Sequence, residues 1–244
     1  MIKKIILKLK TKSLVKYIFW KTGISKIFKS IKTQIFNRED RRWFIEEGDN
    51  RLRFNYDIKE NDIIFEIGAF KGDDLKKFID KFNCIVYAFE PSKHHYQNLL
   101  KLHNNSKINI YNFGFYDRNT KNYLINNNDG SYITLKKPKN MTVYQEVELR
   151  RISEFIKSSR IKKIKLMNMN IEASEYRVLK DLILSKEIYK VESLQVQFHR
   201  KTFMYFIKRH FIYRGLKKTH NLIWKYNYVW ERWDKKAWER QIFE

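Results

Sequence analysis

The stretch Asn61-Asp-Ile-Ile-Phe-Glu-Ile-Gly-Ala-Phe-Lys-Gly-Asp-Asp74, followed by Cys84-Ile-Val-Tyr-Ala-Phe-Glu-Pro91, decides the fold. Each half is a short apolar run that ends in an acid where a turn begins. Ile63 to Ile67 is too short for a buried helix and right for a strand covered on both faces. Gly68 and Gly72 bracket a tight loop, and Asp73 to Phe82 reads as a helix. The second strand ends at Glu90, and Pro91 stops it. The unit is a βαβ half of a nucleotide-binding fold, with an acid placed for ribose hydroxyls.

The loop discriminates among nucleotides. A dinucleotide fold needs Gly-x-Gly-x-x-Gly so that the backbone approaches a pyrophosphate. Here the middle position is Phe70, whose side chain hinders that approach. S-adenosylmethionine has no phosphate, and an acid-x-Gly-x-x-x-Gly loop suits it. The expected cofactor contacts are Glu66, Gly68, Ala69, Gly72 and Glu90.

Outward from this unit, strand and helix alternate: strands at 84–90, 108–113, 163–169 and 191–198, helices at 93–103, 174–185 and 201–213. Extended segments at 121–125 and 131–135 flank a turn at Asn126–Gly130. Val143 to Leu149 alternates like a strand, and Ile152 to Lys157 reads as a short helix. Leu216–Trp224 and Tyr228–Trp233 read as a closing hairpin. The pattern predicts a doubly wound, Rossmann-like α/β sheet with a C-terminal antiparallel hairpin. Residues 41–244 form the expected domain, and 1–40 a basic helical extension.

The chain has 244 residues and a net charge of +24. Hydrophobic residues make up 43%, enough for a packed core, which excludes a disordered chain. The single cysteine, Cys84, excludes a disulfide framework and a cysteine metal site, and fits a reducing cytoplasm. Charge is uneven: Met1 to Phe36 holds ten lysines and no acid, and Arg200 to Lys218 is also free of acids. Apolar residues recur at helical spacing over 2–35, with lysines on the other face. Such a segment suits an anionic membrane interface or packing on the core or a second subunit. The longest early apolar run, Tyr17 to Trp20, is too short to span a bilayer. The expected location is the cytoplasm, peripheral at the inner membrane face.

In this order the motifs resemble the FkbM family of S-adenosylmethionine-dependent methyltransferases, in a bacterial branch found among sugar and surface-glycan genes. Glu66-Ile-Gly-Ala-Phe-Lys-Gly-Asp73 is similar to that branch's first loop, and Tyr87-Ala-Phe-Glu-Pro91 to its second-strand ending. Asn112-Phe-Gly-Phe-Tyr-Asp117 matches the turn after strand three, Gly130-Ser131 a small-residue step, and Arg151–Ile156 a helix start. Glu172-Ala-Ser-Glu175 matches a Glu-Gly-Ala-Glu motif, and Val196-Gln-Phe-His199 a strand ending that carries His. The resemblance adds Phe70, Asp73, Pro91 and Asp117 to the expected cofactor contacts. It implies methyl transfer to a sugar hydroxyl of a glycan or glycolipid precursor. The family's Lys-x-Asp-x-Glu-Gly is here Asn168-Met-Asn170-Ile-Glu172-Ala173, which keeps the shape and removes charge.

A sugar hydroxyl must lose its proton around the transition state, so a base or a metal belongs near it. The expected catalytic residues are Asn170, Glu172 and His199, with Glu175 beside them; His199 has the best unperturbed pKa for a base near neutrality. No metal site is expected, because the side chains of His94 and His95 diverge on a helix. Trp224, Tyr226, Trp230, Trp233 and Trp238 suit packing or sugar stacking. Two other readings remain: a non-catalytic scaffold of the same fold, and, on charge alone, an RNA-directed methyltransferase, disfavoured because no arginine-rich stripe is present. A homo-oligomer is left open.

Overall fold

A computed structural model describes residues 38–102, 105–125, 131–134, 137–138, 144–199 and 203–237. The amphipathic segment 1–36, the turn at 126–130 and Trp238 lie outside the described residues. Seven strands form the main sheet in the order β3-β2-β1-β8-β9-β11-β10. These are β1 (Ile63–Ile67), β2 (Ile85–Phe89), β3 (Ile108–Tyr111), β8 (Ile164–Met169), β9 (Val191–Val196), β10 (His220–Tyr226) and β11 (Trp230–Lys235). The first five are parallel, and β11 runs antiparallel to both β9 and β10. The strand order reverses between β1 and β8, and a doubly wound sheet opens its crevice at such a point.

Helices cover both faces of this sheet: α1 (Asp73–Phe82), α2 (Lys93–Leu102), α3 (Ile152–Ser158), α4 (Glu175–Leu184) and α5 (Phe203–Thr219). Alternation along the strands assigns the faces. Ile64, Val86, Ala88 and Leu166 pack against Leu75 and Phe78 of α1 and Leu99 of α2. Phe65, Ile67, Phe89, Met167 and Met169 pack the other way, on α3, α4 and α5. Each fully buried Val, Leu, Ile, Phe or Met among these contributes about 1.5–3 kcal/mol. The helix ends follow local chemistry: Gly72 (φ 89°) precedes α1, and Asn83 in the left-handed region closes it.

A second sheet departs from the sequence expectation. β4 (Gly114–Tyr116), β7 (Tyr144–Arg151), β5 (Thr120–Ile125) and β6 (Tyr132–Thr134) pair in the order β4-β7-β5-β6. The strand expected over 108–113 stops at Tyr111, and the chain crosses at Asn112 and Phe113 into this smaller sheet. The closing hairpin also begins later than expected. α5 continues to Thr219 because Leu216 is wholly buried on the helical face shared with Ile212. Ahead of β1, helical residues 38–45 pack Trp43 onto Tyr226 and Trp230 of the hairpin. Buried Glu39 accepts the backbone N–H of Asn227 at 3.1 Å.

Candidate active site

At the carboxyl end of β1 the chain turns through Gly68 (φ 90°), Phe70 (φ 49°) and Gly72 (φ 89°). Gly68 is required by close approach, since a Cβ there would sit 2.4 Å from the carbonyl oxygen of Asn170. The N–H groups of Gly68 and Ala69 donate to Phe89 O at 3.0 and 3.2 Å, which ties the loop to β2. The twist at Phe70 aims its N–H at Glu90 Oε2 (2.8 Å), while Ser92 N–H donates to Oε1 (2.8 Å). Burial pushes the Glu90 carboxyl up to about 7, against the pull of these two donors. The rings of Phe70 and His95 lie 4.4 Å apart at the rim. Burial, then His94 and Lys71, hold His95 below the ordinary imidazole range.

These groups line a hollow at the strand crossover, together with Ile67, Phe89, Phe115, Leu124 and Ile133. Its described lining includes no lysine or arginine, and the carboxylates of Glu90 and Glu172 in it disfavour a pyrophosphate. Apolar walls with one buried carboxylate suit an adenosine and its methylene chain. Each oxygen of Glu90 holds one N–H and keeps acceptor capacity for a hydroxyl. The residues present therefore fit S-adenosylmethionine.

The other wall is the loop after β8, which contributes Asn170, Ile171, Glu172 and Ser174. Glu172 (φ 49°) and Ala173 (φ 78°) are both left-handed, a backbone that costs a side-chain-bearing residue roughly 1–2 kcal/mol. The turn directs Glu172 Oε1 to within 3.1 Å of His199 Nε2. Glu175, wholly buried at the start of α4, accepts the His199 N–H at 2.6 Å and lies 3.5 Å from Nδ1. The Tyr176 hydroxyl donates to His199 O at 2.9 Å. Burial alone would lower the His199 pKa, but Glu172 and Glu175 outweigh it and push it up to about 9. A raised pKa favours the imidazolium near neutrality, whereas the expected role as a base needs a ring nitrogen free to accept a proton.

Of the residues expected from sequence, Gly68, Phe70, Glu90, Pro91, Asn170 and Glu172 line the hollow. Ala69 is buried packing, Gly72 precedes α1, and Asp73 opens that helix. His199 stands behind Glu172. Asp117 lines a different hollow and pairs with Arg177 at 2.8 Å. Glu66 belongs to a buried polar row across the sheet. Asn168 Nδ2 donates to Glu66 Oε2 (2.8 Å), and Gln195 stands 2.7 Å from Asn168 Oδ1 and 2.9 Å from the Tyr56 hydroxyl. With its amide turned over, Gln195 bonds Arg53 through O and Nε at 3.1 and 3.2 Å. Arg53 pairs with Asp74 and lies over the Trp230 ring. Burial first, then the charge of Asp74, raise Glu66 well above the carboxylate range.

Sequence reasoning missed His95, Leu124, Ile133, Ile171 and Ser174. The one local signal of His95 in the sequence is its place on the helix after Pro91. Among the described residues, no group of three or more His, Cys, Asp or Glu is placed to hold a metal ion. No described helix is long and apolar enough to cross a membrane.

Residues 66–229 match the family described as the methyltransferase FkbM domain. No curated protein matches. Among solved structures, the chain is similar to a fibrillarin/Nop5p complex at 13% identity, covering 76% of this chain and 78% of that one, with a TM-score of 0.45. An rRNA methylase from Streptococcus thermophilus follows at 11% identity, 73% and 89% coverage, and a TM-score of 0.39. M. capricolum TrmK, bound to S-adenosyl-homocysteine, matches at 11% identity, 73% and 64% coverage, and a TM-score of 0.40. Likenesses this distant say nothing of the acceptor.

Proposed function

We propose, from the premise that this chain belongs to the FkbM family of S-adenosylmethionine-dependent methyltransferases, that its acceptor is a hydroxyl of a saccharide, in a glycan or glycolipid precursor. The observation that carries this reading is Glu172 on the wall of the hollow, with His199 and Glu175 behind it. A carboxylate at that wall can accept a hydroxyl hydrogen bond and take the proton as it leaves. The His199 imidazolium holds the carboxylate by charge and hydrogen bond, and Glu175 fixes the His199 backbone. When bound, S-adenosylmethionine supplies an electrophilic methyl group. Glu90 is assigned to its ribose hydroxyls, and the Gly68–Gly72 turn to the room beside it. Asn170, exposed at the mouth, is assigned to orienting the acceptor. Much of the rate then comes from positioning.

The basic segment 1–36 is assigned to the anionic inner membrane face, where a glycolipid acceptor resides. The deciding experiment is transfer from methyl-labelled S-adenosylmethionine to extracted saccharide and glycolipid precursors, beside RNA. Label in a saccharide is the expected result. Label in RNA alone, or in neither with cofactor binding intact, would overturn the acceptor class.

A further inference from the structure

A second hollow, about 580 Å³, opens between α4 and α5. Arg177 and Lys180 of α4 and Lys208 of α5 face it, and Ile183, Leu184 and Phe211 supply much of its apolar wall. Arg177 is already paired with Asp117, so Lys180 and Lys208 supply the net positive charge. Burial and then the neighbouring Arg177 hold the Lys208 ammonium below its usual range.

The rim is apolar as well as basic. Met204, Ile207 and Phe211 fall at i, i+3 and i+7 on α5 and are 56%, 37% and 63% exposed. Leu184 at the end of α4 is 71% exposed. α5 has no acidic residue over its 17 positions, and Arg214, Lys217 and Lys218 continue the charge on exposed sites. A contiguous apolar patch edged by cations is a surface awaiting a partner.

Charge decides which partner. The basic segment 1–36 of this chain carries ten lysines and no acid, so it is repelled from the patch. A second copy meeting the patch with its own patch is repelled likewise. An anionic bilayer offers opposite charge at its surface and hydrocarbon beneath it. We propose that the α4–α5 surface is a membrane-lipid site, with a phosphate-bearing headgroup on Lys180, Lys208 and Arg177, and Leu184, Ile207 and Phe211 entering the acyl boundary. The site is separate from the hollow assigned to catalysis, and the inference does not depend on the acceptor.

The test is co-sedimentation of the full chain with phosphatidylcholine vesicles, with and without phosphatidylglycerol. Binding is expected only with phosphatidylglycerol and weakens as salt rises. The double variant Lys180→Glu/Lys208→Glu should bind at least tenfold more weakly. Lys76→Glu/Lys101→Glu, the same change of net charge on exposed sites of α1 and α2, should keep most of the binding. Leu184→Ser/Phe211→Ser should weaken binding at low salt as far as the Lys180→Glu/Lys208→Glu variant does, with the remainder held by residues 1–36; these side chains are exposed, so their loss leaves the core intact. Equal loss in the two charge variants would overturn the site and leave only general attraction. Wild-type binding by the α4–α5 variants would overturn it too. So would protection of the hollow by soluble glycerol phosphate in a protein that ignores vesicles.

Discussion

The two walls of the catalytic hollow hold a carboxylate each, and they hold it by opposite means. Glu90 is gripped by two backbone N–H groups inside an apolar wall, and burial pushes its pKa up to about 7. Glu172 stands at a more open wall and is gripped by the imidazolium of His199, which Glu175 backs in turn. Neutral dipoles suit a carboxylate that must meet the hydroxyls of a ribose. A full charge suits one that must meet a hydroxyl about to lose its proton. On the roles proposed above, the same side-chain chemistry is sorted into binding and reaction by what stands behind it.

The sharpest way to break this division is Glu172→Gln. Turnover should fall by about 10²–10⁴-fold, the usual worth of a positioned proton acceptor. Affinity for S-adenosylmethionine, measured by calorimetry, should stay within about threefold, well under the tenfold that 1.4 kcal/mol represents. A matching loss of cofactor affinity would show the two walls to be one site.

The second test separates the walls by pH. His199 is raised from 6.5 to about 9, so its stabilisation is complete below pH 6.5 and lost as pH rises through 9. Glu90 is raised from 4.5 to about 7, so without cofactor the fold loses stability between those values, where the carboxyl is ionised in the unfolded chain and still protonated in the fold. Each window amounts to about 3 kcal/mol. Urea unfolding across pH 4–10 should show both slopes falling with pH, with His199→Gln erasing only the alkaline one. Erasure of the acid slope by that variant would contradict the assignment.

Glu90→Ala should weaken cofactor binding by ten- to a hundredfold, since hydrogen bonds to a charged group contribute about 1.5–3 kcal/mol. Wild-type affinity should be constant above pH 7 and fall below it, as the carboxyl protonates and its acceptor capacity drops. Unchanged affinity in the variant would remove Glu90 from the ribose. The smallest effect concerns Ala173, held at φ 78° where the family pattern has glycine. Ala173→Gly should stabilise the fold by about 1 kcal/mol and raise the melting temperature by a few degrees, with the Glu172 wall unmoved. A lower melting temperature would mean that the methyl group packs better than the strain costs.

The wall that carries Glu90 is legible in the sequence because it is local. Two five-residue apolar runs, a glycine-bracketed turn and Glu90-Pro91 all fall within thirty residues, and each carries its own turn chemistry. The reacting wall was half legible: Glu172 and His199 were named, but the role of His199 depended on Glu175 reaching back from α4, a contact that spacing does not encode. The smaller sheet was not foreseen as a sheet. β4 is three residues long and pairs with β7 some thirty residues on, so neither strand announces its partner. The start of the hairpin was misplaced because Leu216 reads equally well as the end of a helix or the start of a strand until its burial is known.

The polar row through Glu66, Asn168 and Gln195 bears on how the chain unfolds. Its members, with Tyr56, come from segments up to about 140 residues apart, and Gln195 bonds both Asn168 and Tyr56 while Asn168 also bonds Glu66. Peeling off β9 would take Gln195 away from Asn168 Oδ1 and from the Tyr56 hydroxyl, and each buried polar group left unpaired costs about 1–3 kcal/mol. A half-assembled sheet is therefore penalised at its own centre. The row acts as a cooperativity device: the β1 half and the β9 half should melt in one transition, with amide exchange in β1, β8 and β9 proceeding only through global opening.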